Sequence, residues 1–371
     1  MNSAPAEYLM PGGRASITKL PKVSLHDHLD GGLRPQTVID LAAEIGYELP
    51  TTDAAKLQKW FVAQSSSGSL EEFLETFAIT MAVMQTEAQL SRVATEFVLD
   101  LVADGVIYGE VRWAPENHVA GGLTLDEAVA AVTAGINAGI EQAAAAGHDI
   151  RIGQIICAMR QADRALEVAE LAVRHRPNGV VGFDVAGPEV GYPASLFTEA
   201  FDYLAKNYLP VTVHAGEADG LASIESALFD GRTLRLGHGV RIAEDITVTS
   251  EDDEAAYVQL GSIAQWVKDR EITLEICPVS NLFTDAVPTT DLADHPFDLL
   301  YQLGFRVTVS PDDRLMTGTT ISSELSDLVR TFGYDLTDLE VFQLNAAASA
   351  FLSIDDREEL ADRISAGFEK A

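Results

Sequence analysis

The chain has 371 residues, 47% of them hydrophobic, which suffices for one large domain or two ordinary ones. It carries 57 acidic and 25 basic residues, giving a formal net charge of −32, and the acidic residues are spread over many segments. Such a field repels phosphate backbones and anionic bilayers, so we expect neither a nucleic-acid polymer nor a membrane as partner. A neutral or cationic small molecule is compatible with it.

Cysteine content and the N-terminal segment both favour a cytoplasmic location. Cys157 and Cys277 each follow an apolar run, and neither has a C-x-x-C partner, so we expect no disulfide framework. The N-terminal segment lacks the apolar stretch of a signal peptide, and the chain has no uninterrupted apolar run of about 18 residues. We therefore expect neither export nor membrane insertion.

Eight short apolar runs alternate with longer Ala-, Leu- and Glu-rich segments of helical period. Parallel strands joined by crossover helices are buried on both faces, which fits runs that are continuously hydrophobic. We therefore predict an α/β fold, a (β/α)8 TIM barrel in one domain over residues 1–371, with its active site at the carboxyl ends of the strands. An open doubly wound sheet is the alternative, but no G-x-G-x-x-G follows the first strand. The predicted strands cover residues 23–28, 105–113, 150–157, 179–187, 210–216, 234–239, 272–277 and 305–311.

The interval between the first two predicted strands is longer than the later intervals, so it must hold extra helices. Within it, residues 69–85 have apolar side chains at helical spacing, and Ser69 with Glu72 predicts a capping box. The simpler interpretation is a helix that buries its apolar stripe. The more specific one is a lid over the barrel mouth, with Phe73 or Phe77 facing a flat apolar substrate.

Four clusters of histidine and acidic residues close four of these apolar runs. In an extended strand His26 and His28 share one face while Asp27 points away. Three imidazoles and a carboxylate are typical of a divalent metal site, and zinc with an open position for water is the leading candidate. The clusters are LHDHLD at 25–30, HAGE at 214–217, GHG at 237–239 and SPDD at 310–313. We interpret the histidines outside these clusters as core or surface residues: His118, His148, His175 and His295.

Acidic residues near the clusters complete a hydrolase-like set. Of Asp312 and Asp313, one can coordinate the metal while the other accepts a hydrogen bond, although a solvated turn or a helix cap is an alternative. Glu217 lies just past a strand end, where burial near other carboxylates raises the pKa and keeps a proton available for donation. His238 would face the attacking water and orient it or take its proton.

Six motifs, in this order, resemble those of the metal-dependent adenosine deaminase family. They span residues 25–313 and read LHDHLDGGLRP, FDVAGPE, VHAGE, LGHG, CPVSN and SPDD. The resemblance implies a barrel of the metal-dependent hydrolase type that binds one zinc ion. It also implies hydrolysis of the 6-amino group of adenosine or 2'-deoxyadenosine to release ammonia, a reaction of purine salvage.

The resemblance assigns roles to individual residues. Glu217 would protonate the purine N1, and His238 would position and deprotonate the attacking water. Asp313 would hold that hydroxide and the N7 side of the purine. The implied zinc ligands are His26, His28, His214 and Asp312.

The same resemblance implies which residues bind the substrate. They are His28, Asp30, Gly187 and Asp313. Gly187 would offer its backbone N–H to the ring, with no side chain to block close approach. Asp30 would bind a ribose hydroxyl.

Two features depart from the family pattern. Asp27 stands where relatives commonly have a small or apolar residue, and its predicted outward orientation leaves the metal ligands unaffected. The acidic stretch TSEDDEAAY at 249–257 is predicted to be a surface insertion.

Two alternative functions remain open at this point. A relative acting on adenine or another aminated purine nucleoside would share the fold, although HLDG, with Asp30, favours the nucleoside over the HLEG of adenine-specific relatives. A non-catalytic zinc- and purine-binding protein should have lost Glu217, His238 or Asp313, and all three are present. The chain lacks the H-x-E and P-C-x-x-C signature of the His/Cys/Cys deaminases, which disfavours editing of nucleic acids.

Overall fold

The computed structural model describes residues 6–13, 15–251 and 256–371. Its strands are β1 (Lys22–His28), β2 (Val106–Trp113), β3 (Arg151–Met159), β4 (Val180–Ala186), β5 (Thr212–Ala215), β6 (Arg235–His238), β7 (Ile246–Glu251), β8 (Ala256–Leu260), β9 (Thr273–Ile276) and β10 (Val307–Val309). Its helices before β4 are α1 (Pro35–Ile45), α2 (Ala54–Ser65), α3 (Leu70–Glu75), α4 (Phe77–Ala82), α5 (Glu87–Ala103), α6 (Leu125–Ala145) and α7 (Ala165–Arg174). The later helices are α8 (Thr198–Lys206), α9 (Leu221–Phe229), α10 (Ser262–Asp269), α11 (Pro278–Phe283), α12 (Phe297–Gln302), α13 (Arg314–Thr317), α14 (Ile321–Phe332), α15 (Leu336–Ser349) and α16 (Ile354–Phe368).

Eight of the strands form a closed parallel barrel. One sheet runs β1-β2-β3-β4 and a second runs β10-β9-β6-β5, with every neighbouring pair parallel. Parallel backbone bridges between Phe183 and Val211 and between Asp27 and Asp312 join the two sheets at both seams. The predicted (β/α)8 barrel is confirmed, and each predicted strand boundary lies within two residues of the observed one.

An antiparallel hairpin of β7 and β8 interrupts the alternation after β6. Val248 and Tyr257 in this hairpin are more than half exposed, as a surface insertion requires. The acidic stretch at 249–257 therefore coincides with the hairpin, although its residues 252–255 lie outside the described part of the chain.

The long interval after β1 holds five helices, α1 to α5. The single helix predicted over residues 69–85 is instead divided into α3 and α4 at Thr76, whose hydroxyl donates to the Phe73 carbonyl at 2.7 Å. Such a local hydrogen bond competes with the helical pattern. Ser69 caps α3 by accepting from the Glu72 N–H. Within the described residues, no helix combines the length and hydropathy needed to cross a bilayer.

Candidate active site

The carboxyl ends of β1, β5 and β10 bring four predicted metal ligands together. They are His26, His28, His214 and Asp312, and each offers one ligand atom within 4.8 Å of all the others. The Nε2 atoms of His28 and His214 are 3.3 Å apart. Asp312 Oδ1 lies 3.1 Å from His26 Nε2 and 3.4 Å from His28 Nε2. Residues that are far apart in the sequence are thus close in space, because the carboxyl ends of the parallel strands lie at the same end of the barrel.

Two buried carboxylates orient the imidazoles from behind. Glu275 Oε2 lies 3.0 Å from His26 Nδ1, and Asp184 Oδ2 lies 2.8 Å from His214 Nδ1. A carboxylate at Nδ1 fixes the tautomer and leaves Nε2 free as a ligand. Neither carboxylate had a predicted role, although each interrupts an otherwise apolar strand run, which is the signal in the sequence.

Arg112 forms ion pairs with both of these carboxylates inside the barrel. Its guanidinium lies 2.9 Å from Asp184 and 2.6 Å from Glu275, and all three side chains are fully buried. Glu275 also pairs with Arg235 at 2.5 Å, and Arg235 pairs with Glu110 at 2.6 Å. The barrel interior is therefore a charge network rather than a purely apolar core.

We expect Arg112→Met to lower the free energy of unfolding by about 3–5 kcal/mol, because it leaves two buried carboxylates without their shared cation. Urea denaturation of the metal-loaded protein measures this. The matched control is Arg174→Met, because Arg174 is half exposed and pairs with an exposed Asp126. Such surface pairs contribute about 0–1 kcal/mol. Equal stability of the two variants would contradict the role given to Arg112.

The residues fit a metal ion. His26 Nε2 is buried and lies 3.1 Å from Asp312 Oδ1, but it makes no hydrogen bond within the described residues, as expected for two ligand atoms that face one metal ion. A second possible ligand group combines His26 and Asp312 with His238 and Cys277. Burial, together with the Asp312 charge, raises the pKa of the Cys277 thiol well above its ordinary value, which disfavours a thiolate ligand. The first group, with its imidazoles and one carboxylate, is the better metal site.

Glu217 stands on a loop that a second glutamate anchors. The Glu189 carboxylate accepts hydrogen bonds from the backbone N–H groups of Gly216, Glu217, Ala218 and Asp219 at 2.6–3.1 Å. Glu217 Oε2 lies 3.5 Å from His238 Nε2. Burial raises the pKa of Glu217 well above its ordinary value, and the nearby carboxylates of Asp312 and Glu189 add to the effect. The direction of this shift favours the protonated carboxylic acid form of Glu217.

His238 and Asp312 share an unusual backbone conformation. Their φ angles are 60° and 61°, in the left-handed region that costs free energy for residues other than glycine. Helix α11 holds both side chains: the Asn281 amide lies 3.1 Å from His238 Nδ1, and the Ser280 hydroxyl donates to Asp312 Oδ2 at 2.6 Å. Burial lowers the pKa of His238 well below its ordinary value, a direction that favours the neutral imidazole.

The remaining predicted site residues lie around one cavity. Asp30, Gly187 and Asp313 line it together with Glu217 and His238. Burial and the Asp312 charge raise the pKa of Asp313 well above its ordinary value. The volume of the cavity is about 160 Å³.

Two acidic residues that follow His26 in the sequence, Asp27 and Asp30, have partners that the sequence did not indicate. Asp30 Oδ2 lies 3.6 Å from His118 Nε2, and the His118 ring also bonds the Met84 carbonyl. Asp27 points away from the metal-ligand group, as predicted, and pairs with Arg314 at 3.0 Å. His118 is thus a buried histidine that also contacts a predicted substrate-binding residue.

Helices α3 and α4 supply the apolar wall of the cavity. Phe73 and Phe77 both line it, with ring centroids 6.1 Å apart, and Leu70, Leu74 and Met81 extend the same surface. The wall therefore faces the polar strand ends across the cavity. Movement of this wall as a lid stays a prediction.

Known proteins resemble this chain along most of its length. A family model described as Adenosine deaminase matches residues 21–367. An adenosine deaminase from Mycobacterium marinum is 51% identical over 350 residues, which cover 94% of this chain and 95% of that protein. A solved adenine deaminase from Arthrobacter aurescens has a TM-score of 0.80 at 26% identity, covering 95% of this chain and 100% of that one. An amidohydrolase from Burkholderia ambifaria, solved with bound zinc, shares the fold with a TM-score of 0.81 at 22% identity, covering 95% of this chain and 92% of that one.

Proposed function

Because this chain belongs to the adenosine deaminase family, we propose that it hydrolyses the 6-amino group of adenosine and 2'-deoxyadenosine, giving inosine or 2'-deoxyinosine and ammonia. The observation that carries the proposal is one cavity in which a His/Asp metal-ligand group meets Glu217, whose pKa is raised, and His238, whose pKa is lowered. Each group matches a need of this reaction: a metal site, a proton donor and a proton acceptor.

We propose that one zinc ion is held by the four residues of the metal-ligand group, His26, His28, His214 and Asp312. Imidazole nitrogens with a single carboxylate suit zinc better than the oxygen-rich sites of magnesium or calcium. When bound, zinc supplies Lewis acidity that lowers the pKa of a coordinated water to about 7.

Glu217 and His238 move the protons in the proposed reaction. Glu217 donates its proton to the purine N1, which draws electrons from C6 and makes that carbon open to attack by water. His238 orients the attacking water, accepts one of its protons and passes that proton to the amino group, which leaves as ammonia when the C6–N bond breaks. The remaining hydroxyl proton returns to Glu217 as the C6 carbonyl forms. The 3.5 Å distance between the two side chains and the opposite directions of their pKa shifts support this division of roles.

Asp313, Gly187 and Asp30 orient the substrate in the proposed complex. The raised pKa of Asp313 lets it donate a hydrogen bond on the N7 side of the purine. The backbone N–H of Gly187 binds the ring edge, and Asp30 with His28 binds the ribose. Phe73 and Phe77 supply the apolar surface for the flat base.

Asp313 occupies space that only a glycine leaves open at position 31. An ideal Cβ on Gly31 would lie 1.7 Å from Asp313 Oδ1. We therefore expect Gly31→Ala to displace Asp313 and lower kcat/KM for adenosine by about 10²-fold, because small misplacements of orienting groups are costly. Steady-state deamination measures the loss. The control is Gly147→Ala, where an added Cβ meets nothing within 4 Å but the φ of 86° strains the backbone. This control therefore shows how much a loss of stability alone lowers kcat/KM, and an equal loss in both variants would contradict the explanation.

Adenine is the alternative substrate within the same family. The Arthrobacter structure named adenine deaminase is 26% identical to this chain, whereas the Mycobacterium protein named adenosine deaminase is 51% identical. Identity and the residue Asp30 therefore both favour the nucleoside. We also propose that the enzyme is a single domain that works in the cytoplasm, in purine salvage. Its two free cysteines, Cys157 and Cys277, agree with a reducing compartment.

The test follows the ultraviolet spectrum of zinc-loaded protein with adenosine and, separately, with adenine. Metal content and ammonia are measured on the same samples. Loss of adenosine absorbance with stoichiometric ammonia supports the proposal. Turnover of adenine alone would replace it with the alternative, and inertness toward both purines in a metal-loaded protein would refute it.

A further inference from the structure

A second pocket lies at the opposite end of the barrel from the active site. Five arginines line it, and we call it the arginine pocket: Arg176, Arg235, Arg270, Arg306 and Arg357. Three of them precede strands β4, β9 and β10, which places the pocket at the amino ends of the strands. Its volume is about 650 Å³, within the range of about 300–1,000 Å³ that is usual for small-molecule sites.

The charge of this pocket is opposite to that of the whole chain. The pocket contains five of the 25 basic residues in the sequence. Of the 57 acidic residues, Glu271 is the only one lining it among the described residues, and it pairs with Arg306 at 2.5 Å. In a chain with a net charge of −32, such a concentration of guanidinium groups attracts anions at one place while the remaining surface repels them.

Three of the five arginines have no carboxylate partner within the described part of the chain. Arg176 and Arg357 each donate one hydrogen bond to a backbone carbonyl, and Arg270 stacks 3.5 Å over the Trp266 ring. The Nε of Arg357 is buried and has no hydrogen-bond partner among the residues that the structure describes. Arg235, by contrast, is fully engaged with Glu110 and Glu275. Several guanidinium N–H groups therefore remain available to a ligand.

We propose that the arginine pocket binds a small molecule that carries two or more phosphate groups. A guanidinium presents a planar pair of N–H donors that matches phosphate oxygens, and several such groups around one pocket favour a multivalent anion. Apolar residues share the lining, among them Val181, Pro210 and Phe351, and they offer a surface for the organic part of the ligand. The site does not depend on the activity proposed for the other end of the barrel.

The test measures binding of tripolyphosphate to the zinc-loaded protein by isothermal titration calorimetry at constant ionic strength. We expect saturable binding that Arg270→Gln/Arg357→Gln weakens at least tenfold, because two phosphate donors are lost. The control variant is Arg174→Gln/Arg330→Gln, which makes the same change in net charge at two exposed arginines that pair with Asp126 and Asp327. It should bind like the unmodified protein.

A single variant and a second anion complete the binding experiment. Arg270 is exposed and contacts a ring face, so the single variant Arg270→Gln should fold and still bind several-fold more weakly. Tripolyphosphate also chelates zinc, and this chelation contributes the same heat of binding in every variant. If the measured heat of binding does not differ between the unmodified protein and the variants, the proposal is overturned. Citrate binding as tightly as tripolyphosphate would overturn the assignment to phosphate, and no saturable binding would overturn the site.

Discussion

Replacing Glu217 by glutamine is expected to lower kcat for adenosine by about 10²–10⁴-fold, the usual contribution of a general acid or base. The amide keeps the size and hydrogen-bonding ability of the side chain but cannot give a proton to N1. Because Glu217 is not in the metal-ligand group, zinc content should stay at about one ion per chain. Equilibrium binding of 1-deazaadenosine, whose ring has no N1 to protonate, should change little.

The matched control for this experiment is Glu225→Gln, because Glu225 is exposed on α9, beyond the loop that carries Glu217. It should retain the activity of the unmodified enzyme. Near-normal turnover by Glu217→Gln would remove Glu217 from the proposed mechanism, whereas a combined loss of activity and zinc would make it a structural residue of the metal site.

Replacing His214 by alanine is expected to abolish both metal binding and turnover. The substitution removes one of four ligands and leaves the buried Asp184 without the imidazole that it contacts at 2.8 Å. Loss of an outer partner alone typically costs about 10–100-fold in metal affinity, and loss of a ligand should cost more. After dialysis, metal analysis should find well below one ion per chain.

A histidine near the amino end of β3, at the opposite end of the barrel from the metal-ligand group, provides the comparison. His148 is exposed, so His148→Ala should leave metal content and activity unchanged. Full metal occupancy in His214→Ala would show that the ligand assignment is wrong. Together with Glu217→Gln, the pair of variants separates loss of the metal from loss of proton transfer.

The sequence predicted the barrel well because its strands carry a strong and repeated signal. Continuous apolar runs such as 105–113 and 150–157 can be buried on both faces only in a parallel sheet covered by helices. Once the barrel is closed, His26, His214 and Asp312 must lie close together, because the carboxyl ends of all eight strands lie at the same end of the barrel.

The parts that sequence reasoning missed depend on contacts between distant strands. Asp184 and Glu275 face the barrel interior, where both of them pair with Arg112. No local sequence pattern indicates that three strands share this charge network. Glu189 is the last residue of the motif FDVAGPE, but its carboxylate accepts hydrogen bonds from a loop almost thirty residues away. The division of the helix at Thr76 depends on a single hydroxyl hydrogen bond that periodicity cannot reveal.

The backbone bridge between Asp27 and Asp312 has a consequence for biosynthesis. His26 emerges from the ribosome near the start of the chain and Asp312 near its end, so a nascent chain that stops before β10 has the histidines without the carboxylate or a closed barrel. With the four proposed ligands, full metal coordination becomes possible only when almost the whole chain has been made. Metal uptake should report completion of the barrel, and a truncated translation product should lack the tightly held ion.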